Sequence, residues 1–254
     1  MKIYFLIFFL GFTAVSMGQS IENIQKRLKL LNTDMKVKFD TTGFSKLPRF
    51  SFFCTSEIVI TEEGGTEKIV PSETQEPWKY YSVIDLNNDG LNDLIYSGPC
   101  SVYDQTGVFV NDGKTLQLVY DYPGRIISIE QNGIRTTINS LYQPTGCDPD
   151  NELTEIVISK GISATTNRIS FANIPKLNLD ELKKVKIKGM LRWSPKQDDM
   201  EKKEGCFDRL VKGNHLLLID KLTEVIQLKQ SGRWLLILYK KNKDESIIGW
   251  IEIK

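Results

Sequence analysis

The chain has 254 residues, 33 basic against 32 acidic, with 41% hydrophobic and 10% aromatic content and a formal charge of +1. That much apolar content can bury a core, and the balance of charge excludes both an acidic disordered chain and a polybasic nucleic-acid binder. With His215 its one histidine, multi-histidine zinc sites and facial-triad iron sites are excluded as well.

Met1-Lys2, the apolar run from Ile3 to Val15 and the small or polar Ser16, Gly18 and Ser20 read as a secretory signal peptide over residues 1–18. The run is shorter than the ~20 apolar residues of a bilayer span. No second run follows, so the mature chain is expected to carry no membrane span and to be secreted or periplasmic. In such a compartment Cys54, Cys100, Cys147 and Cys206 can form disulfides. None of them forms a CxxC pair, and four cysteines allow three full pairings. Cys100 and Cys147, both in Gly/Pro loops, are the first expectation for a bridge. Cys54, inside apolar FSFFC, is expected equally as a buried thiol or as a bonded one.

Within residues 19–36, Ser20 can cap an amphipathic helix in which Ile21, Ile24, Leu28 and Leu31 recur at helical spacing. From residue 37 to 184 the pattern turns to period two with turn punctuation. Val108 to Val110 and Leu116 to Tyr120, joined by Asn111-Asp112-Gly113, predict one hairpin. Ile126 to Glu130 and Ile134 to Leu141, joined at Asn132-Gly133, predict another. Further strands are expected at 50–60, 83–84, 93–97, 154–159 and 168–171. The predicted class is therefore mostly β: an antiparallel β-meander domain behind a short N-terminal helix. NIPKLNLDELKK reads as a polar connector to a last run of strands over residues 185–254.

The sharpest chemical signal is VIDLNNDGLNDLIY. It places Asp85, Asn87, Asp89 and Asp93 at loop positions one, three, five and nine, with Gly90 at six. Alternate positions can converge oxygens on Ca2+, the backbone carbonyl of Leu91 at seven adds another, and Gly permits the bend. Three carboxylates in nine residues also repel one another without a cation. Position twelve is Tyr96 instead of an acidic ligand and the flanks read as strands, so this is not an EF-hand. The segment resembles an FG-GAP or related β-propeller repeat over about residues 80–120, with TGVFVNDGKTLQL similar to the repeat's second half. The resemblance implies a calcium that fixes two strands.

Over 185–254, Leu191-Arg192-Trp193-Ser194-Pro195, Lys212-Gly213, Trp234 and Gly249-Trp250-Ile251 stand where a bacterial SH3-like domain carries its recurring elements. The segment resembles that family, apart from a long charged loop after Pro195. The resemblance implies a small SH3-like β-barrel that binds cell-wall peptide or an envelope protein partner. Arg192, Trp193 and Trp234 are expected to line its groove, and Trp250 to lie in its core.

No GxSxG elbow, P-loop or dinucleotide fingerprint occurs, and His215 falls inside the expected barrel. The expected function is a secreted, non-catalytic envelope binding protein. The alternative is a secreted hydrolase of wall or glycan using carboxylates, which needs no histidine. Charge divides along the mature chain, with 17 basic and 22 acidic residues up to Lys184 and 15 basic and 10 acidic from Val185. An acidic body precedes a basic module.

Overall fold

The computed structural model describes residues 20–31, 37–48, 54, 77–101, 103–144, 150–204 and 209–253. The expected signal peptide, Cys147, Cys206 and, apart from Cys54, the strand expected at 50–60 lie outside them. Helix α1 (Ile21–Leu30) starts where Ser20 accepts a hydrogen bond from the Asn23 N–H on its side chain. Strands follow at β1 (Tyr81–Ile84), β2 (Asp93–Cys100), β3 (Tyr103–Asn111), β4 (Leu116–Pro123), β5 (Arg125–Asn132), β6 (Arg135–Tyr142), β7 (Asn151–Ile158) and β8 (Ala164–Phe171). The chain continues through β9 (Lys183–Arg192), β10 (Glu201–Glu204), β11 (Arg209–Lys212), β12 (His215–Ser231), β13 (Trp234–Lys240) and β14 (Glu245–Glu252). The protein is mostly β, and both predicted hairpins form, as β3–β4 and β5–β6.

Strands β1 to β4 make an antiparallel meander, and eight strands form a second sheet in the order β13-β12-β9-β14-β8-β7-β6-β5. In that second sheet β14 lies parallel to β8, with Ser246 opposite Ile169. Sheet hydrogen bonding therefore crosses the boundary between residues 184 and 185. On its other side β14 pairs with β13 along seven residues and touches β9 at the single bridge Trp250–Arg192. The pairings β9–β12–β13–β14 thus return to their starting strand.

Three layers follow from the period-two alternation of the strands. On the face toward the large sheet, Ile95, Val108 and Val110 pack with Leu86, Ile126, Ile138, Ile156 and Ile158. Their neighbours Leu94, Tyr96 and Phe109 point the other way, against Phe44, Leu47 and Tyr81. Both faces of β2 and β3 are covered, which is why these strands read as continuous apolar runs. Helix α1 seats Ile24, Leu28 and Leu30 on the opposite face of the large sheet, among Leu153, Ile169, Phe171, Trp234 and Trp250. Each such buried side chain contributes roughly 1.5–3 kcal/mol. Inside the ring of strands, Ile187, Leu191, Ile219, Val225, Leu235, Ile237 and Ile251 form a separate core.

One disulfide is present among the described residues, between Cys54 and Cys100, 46 positions apart. It corrects the expectation of a Cys100–Cys147 bridge, and of the two alternatives at Cys54 it is the bonded one that is found. Cys54 is fastened to the end of β2 and packs beside Tyr80, Tyr81 and Tyr96.

Candidate functional site

The predicted calcium loop connects β1 to β2. Gly90 and Asn88 adopt left-handed conformations (φ 88° and 57°), and this curls the loop so that its side chains meet its own backbone. The Asp85 carboxylate accepts the N–H groups of Asp89 (3.1 Å) and Gly90 (2.9 Å), and Asp89 accepts that of Leu91 (2.8 Å). Asn87 accepts from Asp89 N–H on its amide oxygen and donates to the Asp89 carboxylate (2.8 Å) and to Gly161 O (3.3 Å).

Asp93 is 0% exposed and spans two elements, accepting Leu86 N–H at 2.6 Å and Asn111 N–H at 2.7 Å. Burial pushes its carboxyl up to about 6, those two N–H groups oppose the shift, and Asp89 and Asp85 add to it. The loop is further tied to the β5–β6 hairpin, where Gln131 donates to Asp85 O and Thr136 to Leu86 O.

The donor set fits calcium in kind: three carboxylates, one amide oxygen and the Leu91 carbonyl are hard oxygens, and a carboxylate oxygen that accepts one N–H keeps a second lone pair. Among the described residues no three His, Cys, Asp or Glu side chains form a ready metal cluster. Asp85, Asp89 and Asp93 would have to draw closer, with Asn87 and Leu91, to hold the ion. What the ion would supply is charge neutralisation at the β1–β2 turn.

The three residues expected to line a groove do not come together. The Arg192 guanidinium is buried, and it donates to Asp198 O (3.1 Å), Asn214 Oδ1 (3.0 Å) and the Asp199 carboxylate (2.7 Å). Asn214 in turn donates to Ser194 and to Lys196 O, and the His215 ring meets Asp199 at 2.6 Å. This network folds residues 194–199 back onto the turn at Gly213. Trp234 is 7% exposed and packs in the core beneath α1, so its indole offers no face to a ligand. Both its own face of β13 and the opposite one are covered, and alternation put Leu235 and Ile237, not Trp234, inside the ring. Trp193 is half-buried, its backbone N–H donating to Asn214 O. Trp250 is buried, but in the core beneath α1 with Trp234 and not inside the ring, where the barrel core was expected to hold it; its neighbour Ile251 points inward instead.

A groove of about 760 Å³ does open beside the ring, along β9, β12 and the end of β14. Leu218 and Leu222, 59% and 65% exposed, stand in it with Met190 and Ile253, and Lys186 and Lys188 flank them. Arg192 reaches its wall with a guanidinium already committed elsewhere. Sequence reading missed Leu218, because HLLLID looks like buried strand, and Leu222, which follows it two residues on. The discriminating signal was the neighbouring Asp220 and Lys221, which break a core pattern.

Two adjacent acidic pairs, Glu62-Glu63 and Asp198-Asp199, are candidates for carboxylate chemistry, and the first lies outside the described residues. At Asp198-Asp199, hydrogen bonds first from His215 and then from Arg192 hold the Asp199 carboxyl well below the usual range. Compared with known proteins, the chain matches no protein family, no curated protein and no solved structure.

Proposed function

We propose that this is an exported, non-catalytic interaction protein of the cell envelope, with a calcium-stabilised β body and an SH3-like module over residues 185–254. One observation carries the reading: strands β9, β12, β13 and β14 pair in a ring around their own apolar core and leave an open groove at its side. The groove combines exposed aliphatic side chains with Lys186 and Lys188 and also with Asp220 and Glu252, which suits an extended peptide carrying apolar groups and charges of both signs. Wall peptide or a segment of an envelope protein has that chemistry. The Cys54–Cys100 disulfide supports export, because such bonds persist in oxidising compartments. The oxygen-rich β1–β2 loop supports a bound calcium in a structural role.

The test is retention of the full chain on purified peptidoglycan, in parallel with capture by envelope proteins cross-linked in place. A Leu218→Ser/Leu222→Ser double variant should lose whichever partner the wild type holds. Equal retention of both proteins would remove the groove from the function. Glycan turnover by the wild type that disappears on changing one carboxylate would replace the non-catalytic reading with the hydrolytic one.

A further inference from the structure

A second pocket, about 320 Å³, lies on the opposite half of the molecule, between the β2–β3 turn and the β4–β5 and β6 ends. Its size is at the lower limit of the ~300–1,000 Å³ typical of small-molecule sites. Tyr103, 40% exposed, forms one wall, and its ring meets Tyr142 edge-on at 6.5 Å. Tyr142 is braced by Tyr122 at 6.4 Å, and Tyr122 by the Arg168 guanidinium at 5.8 Å. The wall is therefore a supported stack and not a lone surface ring.

The floor is equally fixed. Gly124 donates its N–H to Asp104 O and accepts the Thr106 hydroxyl, and a Cβ there would crowd Ser140 and Leu141. Cys100, at the start of the β2–β3 turn, is pinned by its disulfide to Cys54.

Polar groups complete the pocket. Asp104 and Arg125 both line it, yet neither makes a side-chain hydrogen bond or ion pair among the described residues, with each other or with anything else. Gln143 and Ser101 add groups that both donate and accept. The pocket thus presents one acceptor and one donor that are unpaired among the described residues, lining side chains of balanced charge and an aromatic wall.

We propose that this pocket binds a neutral sugar unit of a glycan. A pyranose has an apolar C–H face, which the electron-rich face of an aromatic ring attracts, and a rim of hydroxyls that both donate and accept. Tyr103 takes the C–H face, with Tyr142 set at a right angle beside it as its support. Asp104 accepts a hydroxyl proton, and Arg125 donates to a hydroxyl or ring oxygen. A zwitterionic amino acid or dipeptide would use the same two charged groups, but these are solvent-exposed, where ion pairs contribute little. The aromatic wall would then go unused. The site is independent of the groove beside the ring and of the calcium loop.

The experiment is titration calorimetry of the full mature chain with chitotriose, cellotriose and, as the opposing arm, alanyl-alanine. At least one oligosaccharide should bind with Kd below about 1 mM. Tyr103→Ala should weaken it by about tenfold or more, and Tyr103→Phe, which keeps the ring, by no more than about twofold. Asp104→Asn and Arg125→Gln, both on the surface and neutral to folding, should each weaken it severalfold. Circular dichroism establishes that each variant is folded. No saturable binding of either oligosaccharide, binding unchanged by Tyr103→Ala, or binding of the dipeptide alone would overturn the proposal.

Discussion

Arg192 stands opposite Trp250 in the single bridge between β9 and β14, and its side chain leaves that bridge to hold the following loop through Asp198, Asp199 and Asn214. Replacing Arg192 by Leu leaves Asn214 Oδ1 without the guanidinium donor, removes one of the two donors to Asp198 O and takes the cation from Asp199. Urea unfolding should show a loss of about 2–3 kcal/mol.

The same network has a pH signature. The Asp199 carboxyl is held below its ordinary value in the folded state, by His215 first and Arg192 second. A lowered carboxyl contributes stability that is present above the unfolded value, about 3.9, and is lost as pH falls toward the folded one. The stability difference between wild type and Asp199→Asn should therefore shrink as pH falls below about 5. A difference that grows over that acid range would show that Asp199 is not held in this way.

Asp93 and Asp89 separate the architecture of the β1–β2 loop from its proposed calcium. Asp93→Ala strips two buried backbone N–H groups of their acceptor and should cost about 2–4 kcal/mol with or without calcium. Asp89 is exposed, so Asp89→Ala should leave the calcium-free protein close to wild type while abolishing the rise in Tm that calcium gives the wild type. Equal calcium responses in wild type and Asp89→Ala would sink the metal assignment.

Gly213 has φ 57°, and a Cβ there would overlap the Asp198 carbonyl. Gly232 has φ 55° with nothing near its Cβ position. Gly232→Ala should cost about 1–2 kcal/mol for the left-handed backbone alone. Gly213→Ala should cost clearly more, measured in the same unfolding assay, because the loop held by Arg192 must also move.

The Cys54–Cys100 bond closes a long loop, so Cys54→Ser should lower stability by about 2–4 kcal/mol. Reductant should lower the Tm of the wild type by more than that of the variant.

Much of the local structure was legible. Ser20 caps its helix, Gly113 and Gly133 turn their hairpins with positive φ, and the β1–β2 loop curls at Gly90, all from residue types whose preferences act over a few positions. Long-range choices were not legible. In WLLIL the alternation shows that Trp234 and Leu236 share a face and Leu235 and Ile237 the other, but with both faces buried it does not say which one becomes the ring interior. The Cys54–Cys100 pairing and the parallel seam between β8 and β14 join segments 46 and about 77 positions apart, beyond the range of any turn or periodicity. Tyr103, Tyr122 and Tyr142 likewise meet only because three separate strands end at one place.

That parallel seam makes β14 a shared keystone. Its residues 245–252 complete the ring through β13 and also cover the edge of the body at β8, where Arg168 meets Glu245. Neither half can satisfy its strand edges until nearly the whole chain has been synthesised, so final assembly is deferred to the end of translation or later. A protease cut in the connector between β8 and β9 would leave the two pieces associated, whereas removal of the last ten residues would unseat both at once.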